Sequence, residues 1–268
     1  MFTHNFDPVL IDLYIIEVRW YSLAYIFGIL VGWIYAKKII KHLKTNNTLS
    51  YLSIKDFDDF IPYLVVGIIL GGRLGYVLIY NFDFYIKDPR EIFYIWNGGM
   101  SFHGGLIGII LATITFTYIK KIDTFIYLDI ISCVSPIGIF LGRISNFING
   151  ELYGKATDLP WGVIYPSVGN FARHPSQIYE AILEGIILFF LINFFALKKK
   201  LLLKAGYVSG IFLIFYSIAR IIGEIFREPD EHLGYFFDYF SMGIILSFIT
   251  FLAGCFIIFF IKKNEQNN

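Results

Sequence analysis

Apolar residues run along this chain in long, nearly unbroken stretches, near 21–36, 57–80, 92–119, 124–142, 177–197, 206–226 and 236–261. Each approaches or exceeds the roughly 20 residues that an α-helix needs to cross a bilayer. The links between them leave no room for a soluble domain. The pattern predicts an all-α integral membrane protein with seven transmembrane helices, forming a single domain over residues 1–268. Composition strengthens this reading, because 57% of residues are hydrophobic and 16% charged, against roughly 45–50% and 25% in soluble domains. A soluble fold cannot hide that much apolar surface. Asp7, Asp12 and Glu17 precede the first apolar run, where a cleaved signal peptide carries basic residues, so the first run is expected to be a retained helix.

The lysines set a direction. They follow the first run (Lys37, Lys38, Lys41, Lys44), precede the second (Lys55) and follow the third (Lys120, Lys121). They also fill the link between the fifth and sixth (Lys198, Lys199, Lys200, Lys204) and follow the last (Lys262, Lys263). With seven spans all of these fall on one side, which the positive-inside rule makes cytoplasmic, placing the N-terminus outside and the C-terminus inside. Only Lys87 and Lys155 lie elsewhere. The arginines invert the pattern: Arg19, Arg73, Arg90, Arg143, Arg173, Arg220 and Arg227 all fall on the outer side or in the outer half of a span. Orientation needs only charge, whereas a planar guanidinium that binds phosphate in two-pronged fashion suits a recognition site. Interfacial snorkelling explains Arg19 and Arg90; for Arg73 both readings stand.

Three outward segments look unlike lipid-facing helix. Asn97 to Gly105 (NGGMSFHGG) sets glycines and His103 inside an apolar stretch. It predicts a broken or re-entrant segment, tolerated at membrane depth only where it is buried in protein or lines a wet cavity. Gly142 to Gly154 (GRISNFINGELYG) gathers Arg143, Asn146, Asn149 and Glu151, and is read as the start of an external loop at about 143–176 in which Glu151 orients a guanidinium and the amides donate to an anion. In the sixth span Arg220, Glu224 and Arg227 share one face. A charge in hydrocarbon costs at least about 2.5–3.5 kcal/mol, so that face must point into protein and be paired, with Glu224 the natural partner of Arg220. His174-Pro175-Ser176-Gln177 opens the fifth span, after which Gln177, Glu180 and Glu184 lie on one face too polar for lipid. Gly67, Gly71 and Gly75 have the spacing that lets two helices approach closely. Cys133 and Cys255 lie far apart in apolar runs without metal-ligand or CxxC spacing and read as packing residues.

Taken in order, Arg19-Trp20-Tyr21, Gly71-Gly72-Arg73, Gly98 to Gly105, GRISNFINGELYG from Gly142, Arg173 to Gln177 and RIIGEIFREPD from Arg220 resemble the prolipoprotein diacylglyceryl transferase family over nearly the whole chain. Ser145 stands where that family usually has glycine or alanine. The resemblance implies a membrane transferase whose single catalytic domain moves a diacylglyceryl group from phosphatidylglycerol to the lipobox cysteine of a prolipoprotein, releasing glycerol 1-phosphate. It implies a multi-pass protein of the bacterial cytoplasmic (inner) membrane with its site toward the outer face, and the first step of lipoprotein maturation. By the same resemblance Arg143 binds the phosphatidylglycerol head group. His103, Arg220, Glu224 and Tyr21 are candidate catalytic residues, and Asn146, Glu151, Gly154 and Arg227 candidate substrate-binding residues.

The chemistry is consistent with these residue types. Thiol attack on a glycerol carbon expels a phosphate monoester, and Arg143 and Arg220 suit the negative charge that grows there. A free thiol is mostly protonated at neutral pH, so a base speeds the attack; His103 is the candidate, with hydrogen bonding to lipid as its rival role. No metal cluster, phosphate-binding loop or dinucleotide fingerprint stands in the sequence, so neither a metal nor a cofactor is expected, and no nucleic-acid partner. A transporter of anionic lipid is the alternative class, disfavoured because the chain shows no internal repeat and its ionisable residues gather toward one face. A retinal-type receptor is weaker still, because 236–261 of this chain contains no lysine for a Schiff base. A structural assembly factor leaves the buried charges unexplained.

Overall fold

The long apolar runs form helices: α1 (Trp20–Thr45), α2 (Ile54–Ile79), α3 (Phe82–Lys87), α4 (Phe102–Lys120), α5 (Thr124–Asn149), α6 (Ser176–Glu180), α7 (Leu188–Asn193), α8 (Tyr207–Phe226) and α9 (Met242–Asn267). This is a computed structural model, and it describes residues 1–14, 17–45, 49, 52–95, 98–229 and 240–267, without the side chains of Phe102, His103 and Asn267. A π-helical stretch at Ala181–Ile187 joins α6 to α7, and a second at Phe194–Lys198 extends α7, giving one rod from Ser176 to Lys198. Among the described residues six helices are long and apolar enough to cross a membrane, and Gly104–Lys120 is a shorter apolar helix. The chain is a multi-pass membrane protein, mostly helical. Large side chains such as Phe248, Phe256 and Phe259 on α9 stand exposed, as they must where the solvent is hydrocarbon.

Helix is not the whole of it. Short strands β1 (Phe2–Thr3), β2 (Val9–Asp12), β3 (Glu17–Arg19), β4 (Val163–Ile164) and β5 (Ala172–Arg173) make a three-stranded sheet in the order β1-β4-β5 and a separate β2-β3 hairpin. They are minor additions to a mostly helical architecture that agrees with the expected all-α membrane protein; strands of two to four residues are too short to show a period in sequence. The chain divides into two compact units, Met1–Ala36 with Asp129–Asn268, and Lys37–Leu128.

In the unit formed by Lys37–Leu128, α2 and α4 meet through their glycines. A methyl group on Gly75 would lie 2.6 Å from the Gly104 Cα, and one on Gly71 would lie 2.7 Å from the Gly108 Cα, so only hydrogen fits at these crossings. The apolar run at 92–119 does not form one helix. A 3-10 turn lies at Pro89–Phe93, Gly98 and Gly99 hold φ of +81° and +80° outside any helix, and α4 starts only at Phe102. Ser101 caps α4 by accepting from Gly104 N at 3.2 Å. The break thus lies just before His103, which sits in the first helical turn; its side chain, like Asn97, lies outside the described residues. Buried Arg73 holds the broken stretch together. It donates to the carbonyls of Ile92 (2.9 Å), Gly99 (3.1 Å) and Tyr94 (3.2 Å), and also to those of Gly98 and Glu91, and its guanidinium lies 5.0 Å from the Tyr85 ring centroid. Arg73 is therefore no snorkeller; it satisfies backbone carbonyls of the 3-10 turn and of Gly98 and Gly99.

In the other unit, Asp129 on α5 is fully buried and caps α8, accepting from Gly206 N (2.7 Å), Ser209 N (2.7 Å) and Ser209 Oγ (2.5 Å). An acid beside a helix N-terminus answers both the orphan N–H groups and the dipole. Asp129→Ala is expected to cost about 3 kcal/mol, read as a lower thermal midpoint of the detergent-solubilised protein, with turnover per folded molecule preserved. An unchanged midpoint would show that the cap contributes nothing.

Candidate active site

The site is an ion-pair cluster built from three apolar helical segments. α5 contributes Arg143, the rod that starts with α6 contributes Glu180 and Glu184, and α8 contributes Arg220 and Glu224, with Arg227 directly after its last turn. Arg143 Nη1 lies 2.9 Å from Glu180 Oε2, while its Nη2 and Nε lie 2.9 Å and 3.1 Å from Glu184 Oε2. Arg220 Nη1 lies 2.5 Å from Glu180 Oε1 and 3.7 Å from Glu184 Oε1, and its Nη2 pairs with Glu224 Oε1. Arg227 Nη1 stands further off, 3.8 Å from Glu180 Oε1 and 3.9 Å from Glu224 Oε1. Ser241 Oγ donates to Glu224 Oε2 at 2.7 Å.

The side chains of Glu180 and Glu184 are 0% exposed, and those of Arg143 and Arg220 only 15% and 11%. Such burial is tolerable only because the guanidiniums Arg143, Arg220 and Arg227 balance the carboxylates Glu180, Glu184 and Glu224. Glycines make room for the acids: a Cβ on Gly243 would fall 2.5 Å from Glu224 Cδ, and one on Gly223 would fall 3.0 Å from Glu180 Cγ. The expected Arg220–Glu224 pair is present. Glu180 and Glu184 are the larger finding, since sequence alone marks them as too polar for lipid without giving them partners. Their signal was the shared face with Gln177 in an otherwise apolar helix. Ser241 left no signal at all.

Two corrections concern the segment from Gly142. Its residues up to Asn149 belong to α5, so the loop begins at Gly150, not at Arg143. The polar side chains are compatible with helix because they find partners beside it. Glu151 orients no arginine: it accepts from Asn146 Nδ2 (2.7 Å) and Asn149 Nδ2 (3.3 Å). Its carbonyl accepts from Gln177 Nε2 at 2.7 Å. The fork of Arg143 is already filled by fully buried Glu184, which needs a counter-ion more than exposed Glu151 does.

Gly154 is a close-approach glycine. It forms a bridge with Arg227, its N–H donates to His174 O at 2.9 Å, and an added Cβ would lie 2.6 Å from Phe226 O. Gly154 O accepts from Arg173 Nη1 at 3.0 Å, which also pairs with Glu228 at 3.0 Å. This lattice ties the loop to the end of α8, where Arg227 stands. Within the loop, burial and then the Lys155 ammonium hold the His174 imidazole below its usual range, which keeps it a neutral partner for Tyr179 Oη at 3.2 Å. Burial pushes the Tyr165 phenol up to about 12, so it stays protonated and donates to Gln177 Oε1 at 3.1 Å. Tyr21 stands in the first turn of α1 with its ring 5.2 Å from that of Tyr25, and takes no part in the ion pairs above. Buried Ser145 donates from Oγ to Trp20 O at 3.4 Å, linking the start of α1 to α5. His103 belongs to the other unit.

The sequence model of the family described as prolipoprotein diacylglyceryl transferase matches residues 8–260. The chain belongs to the prolipoprotein diacylglyceryl transferase family. Among its relatives, a phosphatidylglycerol–prolipoprotein diacylglyceryl transferase of Rickettsia felis is 49% identical over 254 residues, covering 95% of this chain and 96% of the relative. Proteins of the same description from Rhodopseudomonas palustris and Rhizobium meliloti are 47% and 46% identical over 251 residues each, covering 93% and 92% of this chain and 87% and 89% of theirs. The resemblance read from the motifs holds, and the protein is an enzyme, a transferase.

Proposed function

We propose that this transferase moves the diacylglyceryl group of phosphatidylglycerol onto the lipobox cysteine thiol of a prolipoprotein, releasing glycerol 1-phosphate in the first step of lipoprotein maturation. The observation that carries the reading is the set of arginines, Arg143, Arg220 and Arg227, gathered inside apolar helical segments of a chain of this family. In the reaction a C–S bond forms at the glycerol carbon as the C–O bond to phosphate breaks. The bonding pair goes to the phosphate oxygen, and the thiol proton goes to a base. Charge on the leaving phosphate rises as the C–O bond stretches, and guanidiniums held ready in a dry site stabilise it without reorganising. Arg143 takes the head group and Arg220 the charge that develops. Arg227 joins in binding the phosphate. Asn146, Glu151 and Gly154 shape the entrance, and Tyr21 and Glu224 complete the catalytic set. His103 is the candidate base or lipid-holding group.

α4 supplies a seventh span: its 19 residues, at about 1.5 Å each, nearly match the roughly 30 Å hydrocarbon core. The lysine ends of α1, α4 and α9 then face the cytoplasm, and the arginine cluster lies toward the outer face of the bacterial inner membrane. An impermeant thiol reagent on intact cells should leave single cysteines in 198–205 unlabelled and label those in 155–170. Labelling in 198–205 would reverse the orientation.

The substrate claim is tested with a lipobox peptide and a copy carrying serine in place of cysteine. Only the cysteine peptide should gain one diacylglyceryl unit, because a hydroxyl is far less ionised than a thiol and a poorer nucleophile. Equal modification of both would reject thiol transfer.

A further inference from the structure

Glu180 differs from the other acids in the cluster in having an arginine nitrogen within 3 Å of each oxygen, whereas Glu184 Oε1 meets Arg220 only at 3.7 Å. Glu180 Oε2 takes Arg143 from α5 at 2.9 Å, and its Oε1 takes Arg220 from α8 at 2.5 Å with Arg227 at 3.8 Å. One carboxylate therefore spans guanidiniums from two different helices, and it does so fully buried. Two local features hold it there. Gly223 leaves the space that Glu180 Cγ fills, since a Cβ at that position would come within 3.0 Å. The helix changes to π winding directly after Glu180, a departure that is rare and frequent at functional sites.

We infer that Glu180 is a positioning residue of the transfer reaction proposed above, on which this assignment rests: its carboxylate fixes the separation of Arg143, Arg220 and Arg227, so that the phosphate of the lipid meets a preset array of donors. Like-charged guanidiniums repel, and without an anion between them they would spread apart on their flexible stems. The acid thus occupies, in the resting enzyme, the place at the centre of the arginines that sets the spacing the leaving phosphate will need. Because Glu180 does not touch the reacting atoms, its effect reaches the substrate only through the arginines.

The test is steady-state kinetics of the full-length enzyme in phosphatidylglycerol vesicles with a lipobox peptide, for Glu180→Gln and Glu180→Asp beside the native protein. Glu180→Gln removes the negative charge while keeping the shape. Its added net positive charge should lower KM for phosphatidylglycerol several-fold, while loss of registry lowers kcat about 10²-fold. Glu180→Asp keeps the charge but is one methylene too short to span both helices, and should lose kcat by about 10-fold. A merely structural acid would not split KM from kcat in this way. Values of kcat within three-fold of native in both variants would overturn the inference. So would loss of both variants from the membrane, because Glu180 would then be needed for folding and not for spacing. A native enzyme that forms no thioether would instead reject the transfer reading itself, so the two failures are distinguishable.

Discussion

Arg143→Lys is expected to accumulate normally in the membrane yet lose about 10²–10³-fold in kcat. The reason is the geometry of its fork. Arg143 uses Nη1 on Glu180 and both Nε and Nη2 on Glu184, so one rigid plane joins two acids and still keeps N–H donors for a phosphate. A lysine ammonium is a point charge with three donors, and it cannot hold both acids and the lipid in one plane. The measurement is turnover of phosphatidylglycerol with the amount of membrane-embedded protein determined in parallel, since loss of protein mimics loss of rate. Near-native turnover in a well-expressed variant would mean that diffuse positive charge suffices and that the planar contact plays no part in catalysis.

Arg220→Leu is expected to produce the largest loss of stability, about 3–5 kcal/mol, because it leaves buried acids without a counter-ion. Arg220 meets Glu180, Glu184 and Glu224, and its removal leaves those acids facing only Arg143 and Arg227. The sign of the effect is checked by a second variant. Arg220→Leu combined with Glu224→Leu restores formal balance within the cluster, and should recover most of the lost thermal midpoint and membrane abundance while remaining inactive. If the single variant is as stable as the native protein, the cluster is not energetically coupled and its burial needs another explanation. If the double variant is active, Arg220 and Glu224 are not part of the catalytic set.

The helical framework was legible because hydrocarbon demands long apolar runs and leaves few alternatives. The Gly67, Gly71 and Gly75 spacing likewise announced a close helix–helix contact, since only small residues let backbones approach, but not that α4 is the partner. Arg220 and Glu224 were readable as a pair because they lie one turn apart on the same helix. Arg143 and Glu184 are 41 positions apart, and local spacing carries no information about such a pair. The partner assigned to Glu151 was wrong for the same reason. A nearby acid looked adequate until the fully buried carboxylate on a facing helix turned out to have the stronger need for charge. The extent of α5 was underestimated because Arg143, Asn146 and Asn149 look like loop residues when their partners are out of sight. The short strands escaped notice because two or four residues show no alternation.

The most direct measurement follows both halves of the lipid at once. Purified enzyme in vesicles containing phosphatidylglycerol, with one label on the head-group glycerol and another on the acyl chains, is mixed with a lipobox cysteine peptide. The account predicts one labelled glycerol phosphate released for each peptide that gains the acyl label as a thioether, with both products absent for Arg143→Lys on the same timescale. Acyl label that stays in intact phosphatidylglycerol, or head-group label that leaves without thioether formation, would contradict it.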